Sequence, residues 1–222
     1  MQILKQSYVM KKIFLLVIIS NAVLLKAQIT LAVKSNLIFN TYSPNWTLSS
    51  NWSGNNSGVK EITNNSKDIS GFNIGLSTTI KLPGIPLFLM PEIYYTTIGN
   101  KAVYIDSNGN LFNLKTKSNR IDIPVLAGIT VIKPLRIFLG PVFSTNLHNS
   151  GSSGDFKTIH LNKFLLNYQI GASLHISHLI INVRYENSLS KDQQKFYNRE
   201  KNILIDYKNR QGLFMMGIGY QF

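Results

Sequence analysis

Five charged residues, Lys34, Glu92, Asp122, Arg184 and Glu186, fall in phase with the polar side of alternating apolar segments, with Arg120 and Arg136 near segment ends. Side chains two apart on a strand share a face, so these acids and bases would meet in one enclosed interior. Held there, they could pass protons or a solute, or they could neutralise one another as a salt-bridge core. Unpaired buried charge is expensive, which favours the core. His148 and Ser150 are also two apart and could serve as base and nucleophile of a hydrolase. A lone His-x-Ser in a Ser-rich stretch with no identifiable acid is a weak signal. His160, His175 and His178 lack metal-ligand spacing, so neither a catalytic centre nor a cofactor is expected.

The elements that would position these side chains are strands. Between Asn119 and Thr130, Ile121, Ile123, Val125, Ala127 and Ile129 occupy one face and Asp122, Pro124, Leu126 and Gly128 the other, a period of two. An unbroken aliphatic face opposite a face of acid, small and apolar residues suits a wall between lipid and a narrow interior. The same grammar recurs at about Ile29 to Thr41, Gly71 to Lys81, Leu87 to Ile98, Leu135 to Thr145, Phe164 to Ile176, Leu179 to Leu189 and Leu204 to Phe222. Short turns at 82–86, 131–134 and 177–178 alternate with polar segments at 43–70, 99–117, 146–163 and 191–202, all read as loops. Eight strands, three tight turns and four long loops predict an all-β fold, an eight-stranded antiparallel transmembrane up-and-down β-barrel. A soluble sandwich would not segregate long and short connections so consistently, nor turn so many aliphatic faces to water.

Composition agrees. The 222 residues contain no cysteine, which excludes disulfides, thiol catalysis and a lipid-modified cysteine. No run after residue 28 is long and apolar enough for a spanning helix. Met10-Lys11-Lys12 followed by the apolar run Ile13 to Leu25 and then Lys26-Ala27 has the form of a cleavable signal peptide at 1–27, with 28–222 as the barrel domain. Translation from Met10 would give the basic segment its usual position. Removing Lys5, Lys11, Lys12 and Lys26 leaves 19 Lys+Arg against 10 Asp+Glu, a net charge of +9. These charges are scattered and come with no basic helix or stacking platform, which argues against nucleic acid. Anionic lipid headgroups and lipopolysaccharide phosphates suit them better. Tyr95, Phe143, Tyr168 and Tyr185 read as an interfacial girdle. Trp46 and Trp52, in the first long loop, could contact a partner or pack the loop onto the rim.

The C-terminal Gly217-Ile218-Gly219-Tyr220-Gln221-Phe222 resembles the signal read by the outer-membrane barrel assembly machinery, with Gly217, Tyr220 and Phe222 at its characteristic positions and Met215 a departure. Pro91-Glu92-Ile93-Tyr94-Tyr95, Ile121-Asp122-Ile123-Pro124-Val125-Leu126 and Leu139-Gly140-Pro141 resemble, in order, motifs of the PorT-like outer-membrane β-barrel proteins of Bacteroidetes. That resemblance implies an outer-membrane barrel with periplasmic termini and no enzymatic activity, a structural or adaptor component. Some members of the family support protein secretion across the outer membrane, so secretion-system or other envelope proteins are the implied partners. The runners-up are a narrow solute channel and a lipid-modifying hydrolase, because His148 and Ser150 look like the short pattern of lipid A deacylases.

Overall fold

The computed structural model describes residues 28–41, 45–48, 59–64, 69–106, 111–147, 152–153, 156–160, 164–190, 192–198, 203–209 and 212–222. Side chains are described at 28–41, 71–99, 117–147, 164–190 and 212–222. The expected signal peptide, His148, Ser150 and Trp52 lie outside the described residues, and Trp46 and His160 are described as backbone only. Eight antiparallel strands form the wall: β1 (Gln28–Asn40), β2 (Ile69–Lys81), β3 (Leu87–Asp106), β4 (Leu111–Ile132), β5 (Leu135–Asn146), β6 (Phe164–Ile176), β7 (Leu179–Ser188) and β8 (Gly212–Gln221). Each pairs with the next, and β8 pairs with β1 from Ala32–Gln221 to Asn40–Leu213, so no edge is left. Lipid demands this closure, because an open edge in hydrocarbon would carry a row of unsatisfied backbone groups.

The register fixes the shape of the barrel. Partners followed around the ladder from Gln28 are Lys81, Phe88, Gly128, Phe138, Gly171, Arg184 and Met215, and the walk returns to β1 at Ile38. The return is displaced by the ten residues from 28 to 38. A shear of ten over eight strands tilts them by roughly 40–45° and gives a backbone radius of about 8 Å, so the interior holds side chains and little else. Along this row, sizes alternate. A Cβ built on Gly128 would lie 2.3 Å from the Phe88 ring, and one on Gly171 would lie 2.7 Å from the Phe138 ring. The two glycines therefore make room for the two rings, which a barrel this narrow requires.

Face assignment follows the alternation. Leu139 and Ile218 are both 63% exposed on the outer wall, while Leu126 and Leu213 are both 0% exposed inside. Near the short turns, Leu82 N donates to Leu87 O and Gly84 adopts a φ of 79°, the left-handed conformation that glycine tolerates best.

The four segments expected to be loops contain further strands. The β3–β4 hairpin runs on to the pair Ile105–Leu111, and Val59–Asn64 pairs with its outer part. At 20 and 22 residues, β3 and β4 exceed the roughly 9–11 residues a tilted strand needs to cross the bilayer. A second, five-stranded antiparallel sheet joins Asn45–Leu48, Ile203–Asn209, Asp192–Asn198, Phe156–His160 and Ser152–Ser153 in that order. The last strand expected from Leu204 to Phe222 is thereby corrected, since only Gly212–Gln221 belongs to the wall. Polar, Asn-rich sequence reads as loop because it lacks a buried face. A ladder needs only backbone donors and acceptors, which every residue but proline supplies.

Pro91, Pro124 and Pro141 do interrupt the ladder, as three proline-bearing strands in a closed wall require. Pairing skips Thr78–Pro91 and Thr79–Met90 between β2 and β3, then Glu92–Pro124 and Ile93–Ile123 between β3 and β4. It skips Val125–Pro141 and Leu126–Gly140 between β4 and β5. On its other side each proline stays in register, opposite Val125, Val142 and Tyr168 respectively. The interruptions thus fall on three successive seams, with no bulge at any of them.

Candidate functional site

The alternation that sends aliphatic side chains outward sends a few charged ones inward, and six of these meet in two triads. In the first, Glu92 of β3 receives both Lys34 of β1 and Arg184 of β7. Lys34 Nζ lies 2.7 Å from Oε1, and Arg184 forks across the carboxylate with Nη1 on Oε2 and Nη2 3.1 Å from Oε1. Arg184 Nε also donates to Asn182 Oδ1 at 2.8 Å and Nη1 to Gln169 Oε1 at 3.1 Å, and its guanidinium lies 5.1 Å from the centre of the Phe138 ring. The fork geometry, further donors satisfied by amides and an aromatic face together make burial of an arginine tolerable.

In the second triad Arg120 of β4 sits between two acids. Its Nε lies 2.9 Å from Asp122 Oδ1 and its Nη2 lies 2.7 Å from Glu186 Oε1. Thr96 Oγ1 donates to Asp122 Oδ2, and Asn167 Nδ2 and Gln169 Nε2 donate to Glu186 at 2.9 and 3.2 Å. All six charged side chains are at most 4% exposed. One triad carries +1 and the other −1, so the pair is neutral, as a low-dielectric interior requires.

Apolar clusters flank this charge on both sides. Phe88, Met90, Leu126 and Phe138 pack together toward the short turns, and Ile38, Ile98, Leu213 and Met215 pack together toward the long connections.

The structure therefore brings Lys34, Glu92 and Arg184 together, and separately brings Asp122 and Glu186 together. The link between the latter two is Arg120, which the sequence placed near a strand end. Because β4 begins at Leu111, Arg120 is a wall residue; its parity with Asp122 was the signal that put it inside. Arg136 lies at the turn end of the lumen, over the Phe88 ring. His175 faces the lumen beside Ser173, with Nε2 3.0 Å from its Oγ, and His178 stacks on Tyr220 with ring centres 5.5 Å apart. Tyr220 and Phe222 face outward at the turn end in an edge-on pair, and Gly217 lies opposite Asn36 in the wall. The girdle aromatics Tyr95, Phe143 and Tyr168 are outward and exposed.

Solved structures with a similar course of chain include the outer membrane protein Ail of Yersinia pestis in a phospholipid bilayer nanodisc, at 11% identity and a TM-score of 0.45, covering 88% of this chain and 100% of that one. AlkL in lipid bilayers matches at 9% identity and a TM-score of 0.48, covering 88% and 90%. The outer membrane protease OmpT of Escherichia coli matches at 11% identity and a TM-score of 0.29, covering 88% and 96%. A search of curated proteins finds no match to this sequence. The family model described as outer membrane protein beta-barrel domain matches residues 26–191, spanning seven of the eight wall strands, and the chain belongs to that family.

Proposed function

We propose that this protein is a non-enzymatic, closed barrel of the PorT-like branch, a structural or adaptor component of the outer membrane that acts through its long-connection side. The observation that carries the reading is the crowded lumen: two neutralising triads, buried throughout and flanked by two apolar clusters. On this reading the interior carries no transport, and the surface left for function is the end built up by the extended β3–β4 hairpin and the second sheet. Segments 43–68, 99–117, 146–163 and 190–211 carry 13 Lys+Arg against 7 Asp+Glu, which suits contact with lipopolysaccharide phosphates if this end faces outward and the termini lie in the periplasm. The three PorT-like motifs support secretion as the process served, with an envelope protein as the partner, and the C-terminal aromatics support delivery by the barrel assembly machinery.

Two measurements test this. Purified protein in planar bilayers should show no steady unitary conductance, and discrete, persistent channel events would overturn the closed reading. Cross-linking in native membranes from residues of the long-connection side should capture a secretion-system or other envelope protein. Adducts with lipid alone would remove the adaptor role. Release of acyl chains from lipid A that Ser150→Ala abolishes would replace the whole reading with a hydrolase.

A further inference from the structure

Seven charged side chains are buried among the described residues: Lys34, Glu92, Arg120, Asp122, Arg136, Arg184 and Glu186. The two triads use six of them and cancel. The seventh is Arg136, second residue of β5 at the turn end of the lumen, 9% exposed, with no hydrogen-bond partner at Nη1. Among the described residues no carboxylate lies within ion-pair distance of it. Its guanidinium covers the Phe88 ring at 5.7 Å, a contact that supports a cation without neutralising it.

The surroundings add positive charge. Lys81 is paired in the ladder with the same Phe88, and Arg136 and Lys133 are the charges acting on Lys81. Arg136 is paired with Ser173, whose hydroxyl meets His175 Nε2, and the charges acting on His175 are Arg136, Lys34 and Lys81. His175 Nδ1 is buried and also lacks a partner. When Ser173 donates to Nε2, the ring proton resides on Nδ1, a donor with the Gln221 side chain as its neighbour. A buried cation with no carboxylate to neutralise it, set among further cations and next to an imidazole, is what a binding site for an oxyanion looks like before charge balance is counted.

We infer that the turn-side mouth of the lumen is a binding site for a phosphate group, held by Arg136 with Lys81 and His175 around it. An arginine fork matches phosphate oxygens, Lys81 adds a second positive charge and the His175 N–H a further donor, which favours a group that carries more than one negative charge. The same chemistry fits the phosphate of a lipid headgroup or a free phosphate. This inference is independent of the adaptor reading and concerns the opposite end of the barrel.

The test uses the full barrel refolded in zwitterionic detergent. Inorganic phosphate is titrated against chloride of matched ionic strength, with phosphorus NMR line width and the thermal midpoint as readouts. A second arm compares vesicles of phosphatidylcholine with vesicles that also contain phosphatidylglycerol. Wild type should show a saturable response, Arg136→Gln should weaken half-saturation by on the order of tenfold or more, and Arg136→Lys should recover part of it. A long-connection-side control, Lys195→Gln, should behave as wild type. A response to inorganic phosphate assigns a free phosphate, and a response confined to phosphatidylglycerol assigns a lipid phosphate. No saturable response in either arm, an equal response to chloride, or an unchanged Arg136→Gln would overturn the site. If Arg136→Gln fails to fold, Lys81→Gln should show the same weakening, and an unchanged Lys81→Gln would then count against it.

Discussion

Arg184 and Glu92 are 92 residues apart in sequence and lie on strands β7 and β3, which share no seam, yet two nitrogens of the one grip both oxygens of the other. The pair spans the lumen and so ties one side of the wall to the other. Lys34 adds a third point of attachment at 2.7 Å, so the single carboxylate of Glu92 serves two cations.

From this follows an asymmetry. Removing Arg184 leaves Glu92 still paired with Lys34, whereas Glu92→Ala leaves two buried cations without a partner. Urea unfolding in detergent should show Glu92→Ala losing about 3–5 kcal/mol and Arg184→Ala losing less. The double variant should be much less destabilised than the sum of the two, because the interaction each loses is the same one. Additive losses, or an Arg184→Ala as damaging as Glu92→Ala, would contradict the shared-carboxylate geometry.

The outer wall makes its own prediction. Leu139 is 63% exposed to the lipid side, so Leu139→Arg should cost about 2–4 kcal/mol and lower the temperature at which the compact gel mobility is lost. Val125→Arg, also on the outer face, should act in the same direction. Leu126→Arg should fail for a different reason, since it forces a long cation into a layer already packed with Phe88, Met90 and Phe138. Its loss should persist in detergents of any thickness, whereas that of Leu139→Arg should shrink where the apolar band is thin.

The proline line can be read by amide exchange. Segments 78–79, 92–93 and 125–126 face the interrupted parts of the ladder, and their amides should exchange faster than those of the continuous β6–β7 pairing from Asn167–Ser188 to Ile176–Leu179. If this side is where a partner docks, cross-linkers placed at Tyr95 or Ile123 should capture more protein than ones at Ile181 or Ile218. Uniform protection around the wall would remove the reason for singling that side out.

A fourth prediction separates assembly from stability. Phe222 is 71% exposed, and its main contacts are an edge-on pairing with Tyr220 and a backbone bond to Leu31. Phe222→Ala should therefore refold in detergent with nearly wild-type stability while the amount assembled in the outer membrane of cells falls severalfold. Equal losses in both settings would make the residue structural and not a delivery signal.

Much of this was legible in the order of residues. Strict alternation from Ile121 to Ile129 decides which side chains face lipid, because a pleated strand leaves no other choice. The same rule places Glu92, Asp122, Arg184 and Glu186 inside and puts the prolines where a donor must be missing. Short turns alternating with long polar segments decide the number of wall strands and their antiparallel order. Which acid meets which base was not legible. That depends on the ten-residue shear, which sets how far each strand is slid along its neighbour and brings Arg184 to Glu92 while Arg120 takes Asp122 and Glu186. The strands within the polar segments were equally hidden, since their pairing is backbone to backbone and leaves no pattern in the side chains. Nor could local sequence show that Arg136 is left over, because charge balance in a closed interior is a property of all eight strands at once and exists only when the barrel closes around it.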